Sequence, residues 1–215
     1  MSASPQHGDD TATRIGERLA SLRAGRGLGV AELARRAGVS PSLVSQIERG
    51  QSRPSVTTLV ALADGVGAPI DALFREGPAP AGAASGAQPA PDPEPAPRPG
   101  DRRFVVRRGE RAAIEIEGGV RWERLTPTTL EGADVIEIVY APGAQSHAQS
   151  YRHPEGIEMV LVLSGTLVVE VDGEPHELHE GDSMQFPSSA EHRYVNPTDE
   201  EARGVGARVY TGRPA

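Results

Sequence analysis

Two hydrophobic periods follow one another along this chain. Between residues 11 and 76 the apolar positions recur at helical spacing: Ile15, Leu19 and Leu22, then Leu33, Ala34 and Ala37, then Leu59, Leu62 and Val66. From residue 101 the pattern becomes alternation. The segments AAIEIE, VRWERL, ADVIEIVY, MVLVLSGTLVVEVDGE and ARVY switch between apolar and polar with a period near two, and Gly, Pro and Asp clusters separate them. Asp172-Gly173, between VVEV and EPHEL, predicts a two-residue hairpin turn, because both positions tolerate positive φ. The pattern therefore predicts an all-α head and an all-β body.

The stretch between them, GPAPAGAASGAQPAPDPEPAPRPG, carries eight prolines and no large apolar residue. It cannot bury enough surface to offset the entropy of ordering, so it reads as a linker over 77–100. The expected organisation is a disordered tail over 1–10, a helical domain over 11–76, the linker, and a β domain over 101–215.

Charge sharpens this division. The chain holds 22 basic residues against 30 acidic ones, a net of −8, which looks wrong for a nucleic-acid binder. Residues 11–76, however, hold nine Arg against six acids, whereas residues 101–215 hold twelve Arg against twenty acids. The two parts are expected to have different partners. No cysteine is present, which excludes a disulfide scaffold, a thiolate metal site and a cysteine nucleophile. No apolar run reaches membrane-spanning length and no signal peptide is visible, so a soluble cytoplasmic protein without membrane contact is expected.

The head carries more specific chemistry between Val30 and Glu48. A first helix, VAELARRA, turns Leu33 and Ala34 inward, and Gly38 stands where a sharp turn needs a left-handed residue. Ser40 then caps a second helix that opens on Pro41, a residue suited to the first helical position. Val44 and Ile47 face the core, which leaves Ser42, Leu43, Ser45 and Gln46 outward. Gly29 stands where a Ser or Thr cap belongs. From Ile15 to Phe74 the chain resembles the five-helix DNA-binding domain of XRE-type regulators, related to the lambda and 434 repressors, including an ERG…PS…TL signature. The resemblance implies a pair between Arg23 on the first helix and Glu48 at the end of the recognition helix.

It also implies a DNA-reading set of Ser40, Pro41, Ser42, Leu43, Ser45, Gln46, Arg49 and Arg53. Gln46 and Ser42 would bond to base edges, and Leu43 would meet a thymine methyl. Arg49 and Arg53 would hold phosphates. Taken without the resemblance, Ser42 and Gln46 fit a solvated helix surface equally well. A net +3 is modest, so two heads on one double-stranded operator are expected, which implies a homodimer.

The body resembles a cupin, a double-stranded β-helix barrel. One signature is nearly complete in GDSMQFPSSAEHRYVN: Gly181, Pro187, His192 and Asn196. The other is eroded. Six residues separate Glu158 from Gly165 and four separate His153 from Glu158, but Tyr151 stands where the family commonly has a further His. Carried over residue by residue, the resemblance leaves His153, Glu158 and His192 as a metal set. Two imidazoles and one carboxylate suit Fe(II), and also Mn, Ni or Zn.

Tyr151 and Tyr194 join those three as candidate effector contacts, and both histidines also fit a metal-free binding pocket. Trp122 and Tyr140 read as barrel core or mouth lining. Neither His147 nor Glu155 is chosen as a ligand, and His176 and His179 read as exposed in a turn-rich stretch. The combined fold class is multidomain α + β.

The domain order resembles bacterial one-component regulators in which the cupin senses a small-molecule effector and the head binds an operator. An effector couples to DNA only through different affinities for two states of the protein. A 24-residue linker transmits orientation poorly, so the coupling is expected through the dimer or through a direct contact between cupin and head. The alternative is a metal-dependent enzyme of the phosphonate-epoxidase type carrying a helix-turn-helix accessory domain.

Overall fold

The computed structural model describes residues 7–74, 104–130, 132–147, 150–153 and 156–210. The linker over 77–100, Glu155 and most of the proposed tail lie outside the described residues. Among the described residues, the head contains four α-helices: α1 (His7–Gly25), α2 (Val30–Ala37), α3 (Pro41–Glu48) and α4 (Val56–Val66). The expected fifth helix is a short 3-10 turn over Ile70–Phe74. Helix α1 begins at His7, inside the stretch assigned to a tail, because those first residues carry no apolar repeat from which a helix could be read.

The caps follow the sequence. Gly38 closes α2 at φ 67°, in the left-handed region, and the Ser40 Oγ accepts from the Leu43 N–H at 3.1 Å to open α3. Ser55 caps α4 in the same way through the Thr58 N–H. Gly29 offers α2 no side-chain cap, as its identity dictates. Leu19, Leu33, Val44, Ile47, Leu59 and Leu62 are fully buried and form the head's core.

Among the described residues, nine strands make the body. They are β1 (Ala113–Ile116), β2 (Val120–Arg124), β3 (Ala133–Tyr140), β4 (Gly156–Ser164), β5 (Leu167–Val171), β6 (Glu174–Leu178), β7 (Ser183–Pro187), β8 (His192–Val195) and β9 (Ala202–Tyr210). One sheet has the order β1-β2-β3-β9-β4-β7, and it faces a second of order β6-β5-β8. Asp172 and Gly173 join β5 to β6 at φ 50° and 84°, the predicted hairpin. Strand β9 pairs with both β3 and β4, and its inward positions are Ala202, Gly204, Gly206 and Arg208. His176 lies exposed on β6 and not in a turn, because the hairpin carries EPHEL directly into a strand.

Head and body pack against one another. Asp64 on α4 meets Arg208 of β9 at 3.1 Å. Buried Asp71, in the 3-10 turn, pairs with Arg124 of β2 at 2.5 Å, and its N–H donates to Asp134 on β3. The Glu117 N–H donates to the Pro54 carbonyl at 3.1 Å. Val56, Val60 and Ile70 of the head complete the wall of a barrel cavity that also touches Trp122, Tyr140 and Glu158.

Candidate nucleic-acid interface and metal centre

Helix α3 owes its seat to an ion pair. The Arg23 guanidinium donates twice to Glu48, Nε to Oε1 at 2.6 Å and Nη2 to Oε2 at 2.9 Å, and Nη1 donates to the Leu28 carbonyl. Both side chains are largely buried, and the bidentate geometry fixes α3 against α1. Glu48 raises the Arg23 pKa further by that hydrogen bond, against the opposing cost of desolvation. Val44 and Ile47 point into the core, and the opposite face of α3 presents Ser42 and Gln46 to solvent. Ser40, Pro41, Arg49 and Arg53 are exposed beside them. Leu43 and Ser45 are half-buried, and Leu43 leans on the core, so it is less outward than the sequence suggested.

The barrel brings His153, Glu158 and His192 together. Their ligand atoms lie within 4.8 Å of one another, and Glu158 Oε1 stands 3.5 Å from both His153 Nε2 and His192 Nε2. Alternation on β4 turns Glu158 inward with Val160 and Val162. His192 opens β8, and a two-bond backbone bridge to Tyr151 positions the loop that carries His153. The His192 Nδ1 pairs with the Ala190 carbonyl at 2.9 Å, which makes Nδ1 the protonated nitrogen and aims the Nε2 lone pair at Glu158.

Several buried atoms at this cluster lack a partner, among them Glu158 Oε1 and His192 Nε2. A buried polar atom without a hydrogen bond is costly, and a divalent cation between two imidazole nitrogens and a carboxylate would satisfy both. The residues therefore fit a metal. Burial pushes the His153 pKa down to about 2, with the Arg208 charge adding to it, and burial also lowers that of His192. Both rings are thus neutral, as ligation requires. Burial raises Glu158 to about 7, against the opposing charge of Arg208.

Tyr151 packs its ring against both imidazoles, with centroids 5.0 Å from His153 and 4.5 Å from His192. Burial raises its hydroxyl pKa, so it stays a hydrogen-bond donor. Tyr194 is buried in the same wall, 6.3 Å from the Tyr140 ring. Trp122 and Tyr140 line the cavity, as expected. His179 is exposed beside Glu177 and Asp182, and His147 lies outside the cluster. Two cavity-wall groups went unnoticed in the sequence: Arg208 and the head residues opposite it. Arg208 shares its parity along β9 with Ala202, Gly204 and Gly206, and an Arg at an inward position among small residues is the signal that marks it.

The helix-turn-helix domain family matches residues 14–76, and the cupin domain family matches residues 136–205. The chain joins a helix-turn-helix domain to a cupin. The HTH-type transcriptional regulator SutR of Escherichia coli is 28% identical over 179 residues, 83% of this chain and 84% of SutR. Protein SchB of Streptomyces halstedii is 33% identical over 81 residues, 38% of this chain and 59% of its own length. The crystal structure of an HTH_3 family transcriptional regulator from Vibrio cholerae is 25% identical, with a TM-score of 0.64 over 95% of this chain and 99% of that one. SutR and the Vibrio regulator, alike along most of the length, give the chain the domain order of a helix-turn-helix transcriptional regulator. They do not favour the phosphonate-epoxidase alternative. Among the described residues, no helix is long and apolar enough to cross a membrane.

Proposed function

We propose that this protein is a cytoplasmic, homodimeric transcriptional regulator whose head reads an operator and whose cupin holds a small-molecule effector, with a divalent ion at His153, Glu158 and His192. The observation that carries the reading is α3 itself. It is capped by Ser40, tied to α1 by Arg23–Glu48, and turns Ser42 and Gln46 to solvent. In this reading Gln46 and Ser42 bond to base edges, while Arg49 and Arg53 hold the phosphates that set register.

The dimer draws support from the outer face of β4. Ile157, Met159, Leu161 and Leu163 form an exposed apolar row there, extended on β9 by Val209, Ala207 and Val205 in register. A second copy packing on that face would supply the second head. The metal would be Fe, Mn, Ni or Zn, and when bound it supplies an open coordination position for an oxygen atom of the effector.

The test is binding to DNA upstream of the protein's own gene, followed by fluorescence anisotropy across a salt series. Gln46→Ala should cost about 1–3 kcal/mol and relax sequence preference. Arg53→Ala should weaken all sequences alike and reduce the salt slope by about one. Absence of specific binding at low salt would overturn the reading.

A further inference from the structure

The head forms one wall of the cavity in the barrel. Its volume is about 60 Å³, room for no more than a few waters, whereas pockets for organic ligands run to roughly 300–1,000 Å³. A ligand of that size enters only if part of the wall moves. The barrel strands are tied by their ladders, whereas Val56, Val60 and Ile70 belong to the other domain and are held there by a few polar links and by burial in an apolar cluster shared with the barrel. The head is the part of the wall that the strand ladders do not hold.

The polar character of the cavity selects the ligand. Arg208 and Trp122 both line it, both are more than nine-tenths buried, and both leave an N–H unpartnered: Arg208 Nε and Trp122 Nε1. These are donors, so the ligand must bring acceptors. Asp134 also lines the cavity, but its oxygens already take the Asp71 N–H and the Tyr210 hydroxyl. The Arg208 charge faces Asp64 at 3.1 Å and Asp134 at 3.7 Å, and its guanidinium stacks on Tyr210. Of these partners only Asp64 comes from the head.

We propose that the cavity takes a small organic carboxylate that replaces Asp64 on Arg208 and displaces Val56, Val60 and Ile70, so that ligand binding and head docking exclude one another. This deepens the effector-sensing reading given above and rests on it. The docked state leaves Ser42, Gln46 and Arg53 exposed, so release of the head changes how two heads are spaced and does not uncover a hidden reading face.

The experiment uses the full chain at constant ionic strength, with benzoate as the probe and benzamide as its uncharged counterpart of equal size. The emission of Trp122, the chain's one tryptophan, reports the cavity, and the radius of gyration from small-angle scattering reports docking. Benzoate should change the emission and expand the particle, while benzamide at the same concentration should do neither. Asp64→Asn removes the competing carboxylate without changing its size and should tighten benzoate binding about five-fold, the order of a partly exposed ion pair. Arg208→Gln should abolish the response, and Arg208→Lys should retain part of it. Equal responses to the two probes, no response to benzoate, or an unchanged benzoate affinity in Asp64→Asn would each overturn the proposal. Operator binding by the same preparation is measured separately, so loss of DNA recognition and loss of carboxylate exchange are told apart.

Discussion

Replacing Gly16 with Ala tests the seat of the recognition helix. Gly16 lies within α1 where it crosses the end of α3, and a Cβ built there would stand 2.2 Å from the Ile47 carbonyl oxygen and 2.7 Å from that of Glu48. The first distance is more than 1 Å short of ordinary contact, and both obstacles are backbone. On helix propensity alone Ala should stabilise α1 by about 1 kcal/mol. The clash runs against that gain. Opening the crossing by ~1 Å forfeits about a quarter to a half of the dispersion attraction at each separated contact, along a seam holding Ile15, Leu19, Val44 and Ile47.

Overpacking of this kind costs about 3 kcal/mol at the upper end of its range, which leaves a net loss of ~2 kcal/mol. For a domain of this size that lowers Tm by about 10 °C. The assay is thermal unfolding followed by helical circular dichroism, with Gly25→Ala as control, since a Cβ at Gly25 meets nothing within 4 Å. DNA affinity should also fall by more than the unfolded fraction explains, because α3 carries the proposed reading face. If Gly16→Ala is as stable as the parent and binds DNA equally well, the account of how α1 seats α3 is wrong.

Three further outcomes follow from the same structure. Gly29→Ser supplies the side-chain acceptor that α2 lacks, at a position open within 4 Å, and should stabilise the head by a few tenths of a kcal/mol in urea unfolding. Zn(II) affinity should fall about tenfold per pH unit below about 7, because binding must release one proton from Glu158 while both histidines are already neutral. Calorimetric titration between pH 5.5 and 7 checks this, and a slope of two would mean that the histidines titrate there. If the proposed dimer forms on the outer face of β4, where Leu161 is exposed, Leu161→Asp should leave the chain monomeric in sedimentation and weaken operator binding without lowering the Tm of the head.

What was legible in the sequence was local. Gly38, Ser40 and Pro41 act through bonds a few residues long, and the Asp172-Gly173 turn acts between adjacent strands, so each can be read in place. The cupin spacing carried His153, Glu158 and His192 to one point, although Tyr151 broke the pattern. Strands β7 and β8 were harder to see, being five and four residues long within a stretch rich in turn formers. Asp64 and Asp71 were invisible as contacts, since no local period reports that a helix surface will lie against a strand far along the chain. The proline-rich break left a direct contact between cupin and head as one expected route of coupling, and ion pairs do cross the domain boundary, though the residues that make them could not be named.

Strand β9 contributes to the barrel interior mainly by what it omits. Gly204 cannot acquire a side chain, because a Cβ there would press on the Leu161 carbonyl oxygen at 2.9 Å. Gly206 lines the cavity, and its nearest obstacle is a methyl of Ile138 at 3.3 Å, which a small rotation relieves. One glycine is thus fixed by the fold, while the other is free to vary. On the proposed reading, ligand choice can drift by single methyl increments at position 206, with the donor set and the head left untouched.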